Sequence, residues 1–459
     1  MSLLTLDDPR PVHFVGAAGA GMSALAELLA RRGVRVTGCD ANPASTADLE
    51  RFGIVVARGH DPAHVEGARA LVVTSAMPPA HPELARARSL GIPVIRRAEA
   101  LAEAVSVGRL IAIAGTHGKT TTTVMTTEAL AAAHLDPTGV VGGRVPGWGG
   151  NLRLGGEALF IVEADEYDRS FLALSPDVAV VTNVEADHLD IYRDLADIRA
   201  AFGHFVRGAR TIVLCADDAG ADSLPTPGGA EVVRYGITSP NARLMARNVT
   251  ATGEGSRFGV ALDGDQLGEI VLRVPGRHNV LNALAAVASG LAVGAALSDM
   301  APGLGAFRGV ERRFQRLGEA AGVTVVDDYA HHPTEIRATL TAARSAFPGR
   351  RLVAAFQPHL YTRTRDFAGE FGAALAHADA IFLTEIYAAR EQPIAGVTAD
   401  LIAAAVRAAG GTLAWHGARA DLASALAGRV EAGDVVLTLG AGDITRTGPE
   451  LLERLGAAA

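Results

Sequence analysis

The run Gly115-Thr116-His117-Gly118-Lys119-Thr120-Thr121-Thr-Thr123 joins a short apolar stretch to an alanine-rich helical pattern, the setting that a phosphate-binding loop requires. Glycines let backbone N–H groups approach phosphate oxygens, and the helix N-terminus adds partial positive charge. An ammonium then bridges the terminal phosphates and the hydroxyl after it reaches Mg2+. Only two residues separate Gly115 from Gly118, so the loop is a shortened form of the usual pattern. Of the 42 basic residues, 41 are arginines and the single lysine is Lys119. An arginine-rich composition accounts for the 41; position accounts for the exception.

A magnesium–nucleotide site also needs ligands on neighbouring strand ends, because ligands of open parallel sheets lie beyond the carboxyl edge. The apolar run Leu159–Val162 leads into Glu163-Ala-Asp165-Glu166-Tyr167-Asp168, and Val178–Val181 leads into Thr182-Asn183-Val-Glu185-Ala-Asp187-His188-Leu-Asp190. Near the start, Gly16-Ala-Ala-Gly19-Ala20-Gly21 follows a strand and opens a helix, with Asp40 ending the next strand. Its second glycine comes one residue later than in the dinucleotide fingerprint, so the turn reads as a site for a different diphosphate, such as a nucleotide sugar. Later strand ends read Asp327-Asp328-Tyr-Ala-His331-His332-Pro, Gln357-Pro-His359-Leu-Tyr-Thr-Arg363-Thr-Arg365 and Gly440-Ala-Gly442-Asp443. The doubled histidine lacks the helical His-Glu-x-x-His of a catalytic zinc. Arg363 and Arg365, read as lying in a loop after a strand, suit a bidentate clamp on carboxylate or phosphate.

The elements that must hold these residues alternate short β-rich runs with alanine-rich helical patterns, the mark of an α/β fold with helix-covered parallel sheets. Three domains are expected, at 1–106, 107–313 and 314–459. In the first, strands are expected at Val12–Val15, Val34–Gly38, Ala70–Thr74 and Pro93–Ile95, with a helix at Ala20–Arg32 stopped by Gly33. The second opens with the strand Leu110–Ala114 and later contains Thr211–Leu214. Its polar, glycine-rich stretch near 228–275 suggests short antiparallel strands before a helix at Asn279–Ala292. Strands at Val323–Val326, Leu352–Phe356, Ile381–Leu383 and Val435–Leu439 are expected in the third.

At 459 residues with 49% hydrophobic and 20% charged content, the chain suits several buried cores and excludes a disordered or collagen-like polymer. A net charge of −8 opposes a nucleic-acid-binding surface. Cys39 and Cys215 form neither a disulfide framework nor a paired metal spacing, which suits reduced thiols in a cytoplasm. Neither a secretory signal nor a membrane-spanning run is read in the sequence, so no membrane insertion is expected. Oligomeric state has no local signature here.

The phosphate loop, Glu163-Ala-Asp-Glu166, Thr182-Asn-Val-Glu-Ala-Asp-His188, Gly276-Arg-His-Asn279-Val-Leu-Asn282-Ala, Arg312-Arg313-Phe, Asp327-Asp-Tyr-Ala-His-His-Pro and Phe356-Gln-Pro-His-Leu-Tyr-Thr-Arg-Thr-Arg365 occur in one order along the chain. Together they resemble the Mur ligase family, within it the branch that adds L-alanine to UDP-N-acetylmuramate. The resemblance implies a Rossmann-like N-terminal domain for the UDP-sugar, a P-loop central ATPase domain and a Rossmann-like C-terminal domain for the amino acid. It implies ATP-dependent amide formation through an acyl phosphate in peptidoglycan synthesis, with two Mg2+ ions in turnover. By the same resemblance Lys119, Glu163 and His188 are catalytic, and Thr120, Glu163 and His188 are the metal ligands. ATP is assigned to Gly115–Thr121, Asn279, Asn282, Arg313 and Asp327 (or its neighbour Asp328). The UDP-sugar is assigned to Gly16, Gly19, Ala20, Gly21, Asp40, His60, Ser75 and Arg97, and the amino acid and acyl phosphate to His331, His332, Arg363 and Arg365.

Several relatives place a carbamylated lysine near the second metal, which this chain's one lysine, already in the loop, rules out. Tyr167 stands where many members carry serine. A related ligase that recycles murein tripeptide also has tyrosine there and is the alternative reading. A nicotinamide-dependent oxidoreductase would use Gly16 and Asp40 but leave Lys119 and the acidic strand ends without a task. A nucleotide-sensing module would leave the metal ligands without one.

Overall fold

The computed structural model describes residues 3–42, 47–75, 77–252 and 255–457. The first sheet comprises β1 (Val12–Val15), β2 (Val36–Asp40), β3 (Val55–Arg58), β4 (Ala70–Val73) and β5 (Val94–Arg96), in the order β3-β2-β1-β4-β5. Every pairing in it is parallel. The order reverses between β1 and β4, so the glycine turn after β1 opens at the switch point, where such sheets bind ligands. The second strand starts at Val36, two residues later than the sequence pattern suggests. The reason lies in the preceding helix, Ala20–Arg31: Gly33 is left-handed, and the Val34 N–H still donates to Leu29 O, completing the helix stop.

The second sheet comprises β6 (Arg109–Ala114), β7 (Thr138–Val145), β8 (Gly150–Arg153), β9 (Leu159–Glu163), β10 (Val178–Val181), β11 (Thr211–Cys215), β12 (Glu231–Gly236), β13 (Leu244–Thr252), β14 (Gly255–Leu262) and β15 (Asp265–Leu272). Its order is β15-β14-β13-β12-β11-β10-β6-β9-β7-β8. β6 is therefore flanked in parallel by β10 and β9, which brings the loop after β6 between the two acidic strand ends. The expectation of short antiparallel strands over 228–275 is corrected for the first of them: β12 joins β11 in parallel and β13 joins β12 in parallel, whereas β14 and β15, sheet neighbours joined only through Asp263 and Gly264, form an antiparallel hairpin. The strands that follow are also long, with eight residues each in β14 and β15. β7 escapes the sequence pattern because its glycines look like a loop. They are there for close approach: a Cβ on Gly139 would lie 2.7 Å from the Thr127 side chain.

The third sheet comprises β16 (Gln315–Ala320), β17 (Val323–Asp328), β18 (Leu352–Phe356), β19 (Ala380–Thr384), β20 (Leu413–Gly417) and β21 (Val435–Leu439), in the order β16-β17-β21-β18-β19-β20. Only β16 pairs antiparallel, at the edge. Alternate residues of β17, β18 and β21 feed two apolar cores, one on each face. Arg363 and Arg365 do not lie in a loop. They occupy the first two turns of the helix Tyr361–Leu375, which begins one residue after the left-handed Leu360.

The chain forms two compact units: Met1–Arg247 with Gly259–Ile270 and Leu281–Ala306, and Asn248–Phe258 with Val271–Val280 and Phe307–Ala459. The first unit contains the first sheet and β6 to β12 because the two are tied together. Arg32 stacks over Phe160 at 4.9 Å and pairs with Glu157 at 3.2 Å, and Arg144 pairs with Asp48.

Candidate active site

Two left-handed glycines shape the loop after β6, Gly115 (φ +138°) and Gly118 (φ +83°). The backbone then enters the helix Lys119–Ala132, so several N–H groups face one side at its N-terminus. The segment after β10 braces this curve. Thr182 Oγ1 and Asn183 Nδ2 donate to His117 O at 2.6 and 3.0 Å, and Asn183 Oδ1 accepts from His117 N at 2.7 Å. Glu185 contributes twice: its N–H donates to Thr116 Oγ1 at 2.9 Å and its carboxylate meets His117 Nε2 at 3.2 Å. A Cβ on Gly115 would stand 2.0 Å from Thr182 Oγ1, and one on Gly118 2.7 Å from Asn282 Oδ1. Gly115→Ala is therefore expected to cost about 1–3 kcal/mol of stability through backbone strain and to raise the KM for ATP by at least about tenfold. Thermal melting and ATP-dependent kinetics check both.

Lys119 Nζ donates to Gly115 O at 2.8 Å, to Thr116 O at 3.3 Å and to Glu166 Oε2 at 2.7 Å. Burial opposes the ammonium, but Glu166, Asp165 and Glu163 outweigh it and hold the lysine well above its usual value. Burial pushes the Glu166 carboxyl up to about 7 despite Lys119. Thr120 Oγ1 donates to Glu163 Oε1 at 3.0 Å, and Gly142 N donates to the other oxygen at 2.7 Å. His188, in a left-handed conformation, brings Nε2 to 3.8 Å from both Glu166 and Asp187. The Tyr167 ring lies edge-on to it at 5.1 Å. The three segments foreseen from sequence thus converge. Hydroxyl and carboxylate oxygens with one imidazole at the rim are a donor set that suits Mg2+.

Sequence reading did not enlist two supports. Tyr192 OH donates to Glu166 O at 2.7 Å, and Arg169 lies over the Tyr192 ring at 4.7 Å while gripping Asp197 with bonds of 2.8 and 2.9 Å. Neither stands in a run whose residue types alone signal chemistry.

The glycine turn lies in the same unit. Gly16 is left-handed, Gly19 caps the helix that begins at Ala20, and Asp40 accepts from Ala18 N at 2.9 Å, so the carboxylate braces the turn. His60 follows β3, where Gly59 N donates to Asp40 O. Ser75 follows β4 and is exposed, and its neighbour Thr74 lies 3.8 Å from where a Gly16 Cβ would be. Arg97 passes 3.0 Å from the Cβ position of Gly21 and lines a small cleft with Glu163, Asp165 and Ser170. That arginine joins the glycine turn to the acidic strand end.

In the second unit, Asp327 is buried and accepts from Thr445 Oγ1 at 2.8 Å and from Thr438 Oγ1. Asp328 accepts from Ala330 N and Phe314 N, both at 2.8 Å, and burial pushes its carboxyl up to about 6. Arg313 lies over Tyr329 at 5.1 Å. Asn279 Nδ2 donates to Pro275 O at 2.7 Å, locking the entry to the helix Arg277–Ala292. His332 caps the helix Pro333–Ala346 by accepting from Thr334 N, while His331 bonds Tyr329 O at 3.0 Å. His359 stands between two of the assigned residues, with its ring 5.8 Å from that of His331 and Nδ1 3.4 Å from Arg363. Arg365 is exposed and pairs with Asp366.

Models of three Mur ligase segments match the chain: the Mur ligase family catalytic domain at 11–109, the middle domain at 113–290 and the glutamate ligase domain at 312–442. The chain belongs to the Mur ligase family. Within that family, a UDP-N-acetylmuramate–L-alanine ligase from Acidothermus cellulolyticus is 48% identical over 98% of this chain and 96% of its own. One from Streptomyces avermitilis is 46% identical over 97% of each. Among solved Mur ligases, the UDP-N-acetylmuramate–alanine ligase of Thermotoga maritima superposes with a TM-score of 0.84 at 30% identity, covering 98% of this chain and 100% of its own. A murein peptide ligase from Psychrobacter arcticus superposes at 0.72 with 26% identity, covering 97% and 99%. Among the described residues no helix is long and apolar enough to cross a membrane.

Proposed function

We infer that this Mur ligase joins L-alanine to the lactyl carboxylate of UDP-N-acetylmuramate, converting ATP to ADP and phosphate, in peptidoglycan synthesis. The observation that carries the reading is identity of 48% and 46%, over nearly the whole chain, to ligases of that specificity. The murein tripeptide ligase alternative is weaker, since the solved murein peptide ligase fits less well than the solved alanine ligase. The oxidoreductase reading leaves the buried Lys119 and its acidic neighbours unexplained. The test is product analysis: ADP and phosphate, not AMP and pyrophosphate, appear only when UDP-N-acetylmuramate, L-alanine and Mg2+ are all present. Turnover with murein tripeptide in place of alanine would overturn the specificity.

The three proposed domains, 1–106, 107–313 and 314–459, receive UDP-sugar, ATP and amino acid in turn. The lactyl carboxylate attacks the γ-phosphorus, ADP leaves, and the alanine amine displaces phosphate from the acyl phosphate. Phosphoryl transfer of this kind depends on positioning and charge stabilisation rather than on a protein nucleophile. Lys119 is proposed to leave Glu166 for the β- and γ-phosphates, which the N–H groups of Gly115 to Thr121 also cradle. Thr120 and Glu163 would hold one Mg2+, and Glu163 and His188 a second, supplying charge neutralisation of the phosphates when bound. Asn279 and Asn282 are proposed for the adenine and Arg313 for the ribose or phosphates. Asp327 and Asp328 are proposed to act by fixing the Arg312–Arg313 segment, since their oxygens are already engaged.

Gly16, Gly19, Ala20, Gly21, Asp40, His60 and Ser75 are proposed for the UDP-sugar. His331, His332, Arg363 and Arg365 are proposed for the amino acid and acyl phosphate. ATP, nucleotide sugar and alanine meet in the cytoplasm, which is the proposed location. Arg97, placed between the glycine turn and Glu163, is proposed to steer the sugar's acid arm toward the phosphoryl group. Arg97→Met is expected to raise the KM for UDP-N-acetylmuramate about tenfold while the KM for ATP changes little, as initial-rate kinetics will read.

A further inference from the structure

On one face of the first sheet, beside the glycine turn, whose Gly16 N–H donates to Cys39 O at 2.9 Å, several metal-ligating side chains gather. His13 on β1 and Cys39 on β2 share a face, because the parallel register sets His13 beside Thr37 and Val15 beside Cys39. His64 comes from the short turn Pro62–Val65, and Glu83 from the first turn of the helix Pro82–Ser89. One donor atom from each of these four residues lies within 4.8 Å of the other three. His13 is 2% exposed, Cys39 0% and Glu83 0%.

Two features ask for an occupant. Nδ1 of His13 bonds Thr37 Oγ1 at 2.9 Å, whereas its buried Nε2 has no hydrogen-bond partner among the described residues. The Glu83 carboxylate is wholly buried, yet its ion-pair partners are histidines: His64 at 2.8 Å, His60 at 3.5 Å and His81 at 4.0 Å. Glu83 also accepts from Asp61 N at 3.0 Å, but among the described residues no permanent cation balances it, and a buried charge is costly without one. Cys39 Sγ meanwhile sits 3.1 and 3.2 Å from its two oxygens.

We propose that His13 Nε2, Cys39 Sγ, His64 and Glu83 bind one Zn2+ ion. Thiolate, imidazole and carboxylate together are the donors zinc takes, and four of them give its tetrahedral shell; magnesium prefers oxygen alone. Binding forms the zinc–sulfur bond, breaks the Cys39 S–H bond and releases that proton to water, with no change of oxidation state. Thiolate and carboxylate then offset both charges of the ion, so it enters the buried space as a neutral cluster. Thr37 holds the His13 ring through the nitrogen that does not ligate, as outer partners of zinc-bound histidines do. The ion ties together β1, β2, the turn after β3 and the helix Pro82–Ser89.

The test uses full-length protein stripped by a chelator and titrated with Zn2+ or Co2+ in excess Mg2+, which keeps hard-cation sites filled. Native protein is expected to take up one Zn2+ per chain, to melt at a higher temperature, and with Co2+ to show a thiolate-to-cobalt absorption band that Zn2+ abolishes. The band is expected to persist in Cys215→Ser and to vanish in Cys39→Ser. His64→Gln, at the more exposed ligand, is expected to weaken Zn2+ binding at least about tenfold. Absence of the band in native protein, its loss in Cys215→Ser, or unchanged Zn2+ affinity in His64→Gln would each overturn the proposal. Should Cys39→Ser not fold, the Cys215→Ser spectrum and the His64→Gln titration decide.

Discussion

Lys119→Arg is expected to lower kcat by about 100- to 1,000-fold while the melting temperature stays close to native. The positive charge survives, so the result isolates shape. In the structure the ammonium fits between Gly115 O at 2.8 Å, Thr116 O at 3.3 Å and Glu166 Oε2 at 2.7 Å, the space of a compact point charge. A guanidinium is planar and longer, and it matches a carboxylate with two parallel bonds. Arginine would therefore grip Glu166 more firmly than lysine does, and a cation so held is slower to transfer to the terminal phosphates of ATP. Burial makes the competition stronger, because Coulombic attraction grows as water is excluded. The measurement is steady-state kcat and ATP KM together with a thermal melt. A rate within about threefold of native, with the fold intact, would remove Lys119 from the phosphoryl-transfer step.

The nucleotide loop and both acidic strand ends were readable from sequence because each couples a residue type to a position. A glycine–lysine–threonine turn after an apolar strand has few uses, and acids at the end of a buried strand need a task. What sequence could not supply was the order of the strands. That β6 lies between β10 and β9 is what makes His188, Glu163 and Lys119 neighbours, and no local pattern encodes it. The glycine-rich β7 was hidden by the same residues that let it pack closely against the helix Lys119–Ala132 before it. The parallel pairing of β12 was hidden because alternation reports a half-buried face, not the direction of the partner. Arg363 and Arg365 looked like loop residues after Gln357-Pro-His359, yet a left-handed Leu360 turns the chain sharply enough for a helix to begin at Tyr361. Three-dimensional coincidences such as the meeting of His13, Cys39, His64 and Glu83 combine four separate stretches of chain, so spacing rules for paired ligands pass over them.

The same strand order makes Glu163 the second decisive residue. It closes β9 and turns its two oxygens to different elements, one to Thr120 in the helix after the phosphate loop and one to the Gly142 N–H on β7. Glu163→Gln preserves size and leaves one oxygen to accept from Gly142. The Thr120 hydroxyl can rotate to accept from the new amide, since a hydroxyl both donates and accepts. The fold is thus expected to melt within a few degrees of native. What disappears is the negative charge beside Thr120, where a divalent cation is proposed to bind with the nucleotide. A neutral amide oxygen remains a ligand for Mg2+ but a much weaker one. The expected outcome is a loss of about 100- to 1,000-fold in kcat at ordinary Mg2+ concentration, with half-saturation by Mg2+ moved upward by at least about tenfold. Titrating turnover against Mg2+ at fixed ATP separates this from mere structural damage, because a misfolded fraction lowers the plateau without moving the midpoint. A native midpoint and plateau in Glu163→Gln would show that the carboxylate does not hold the ion.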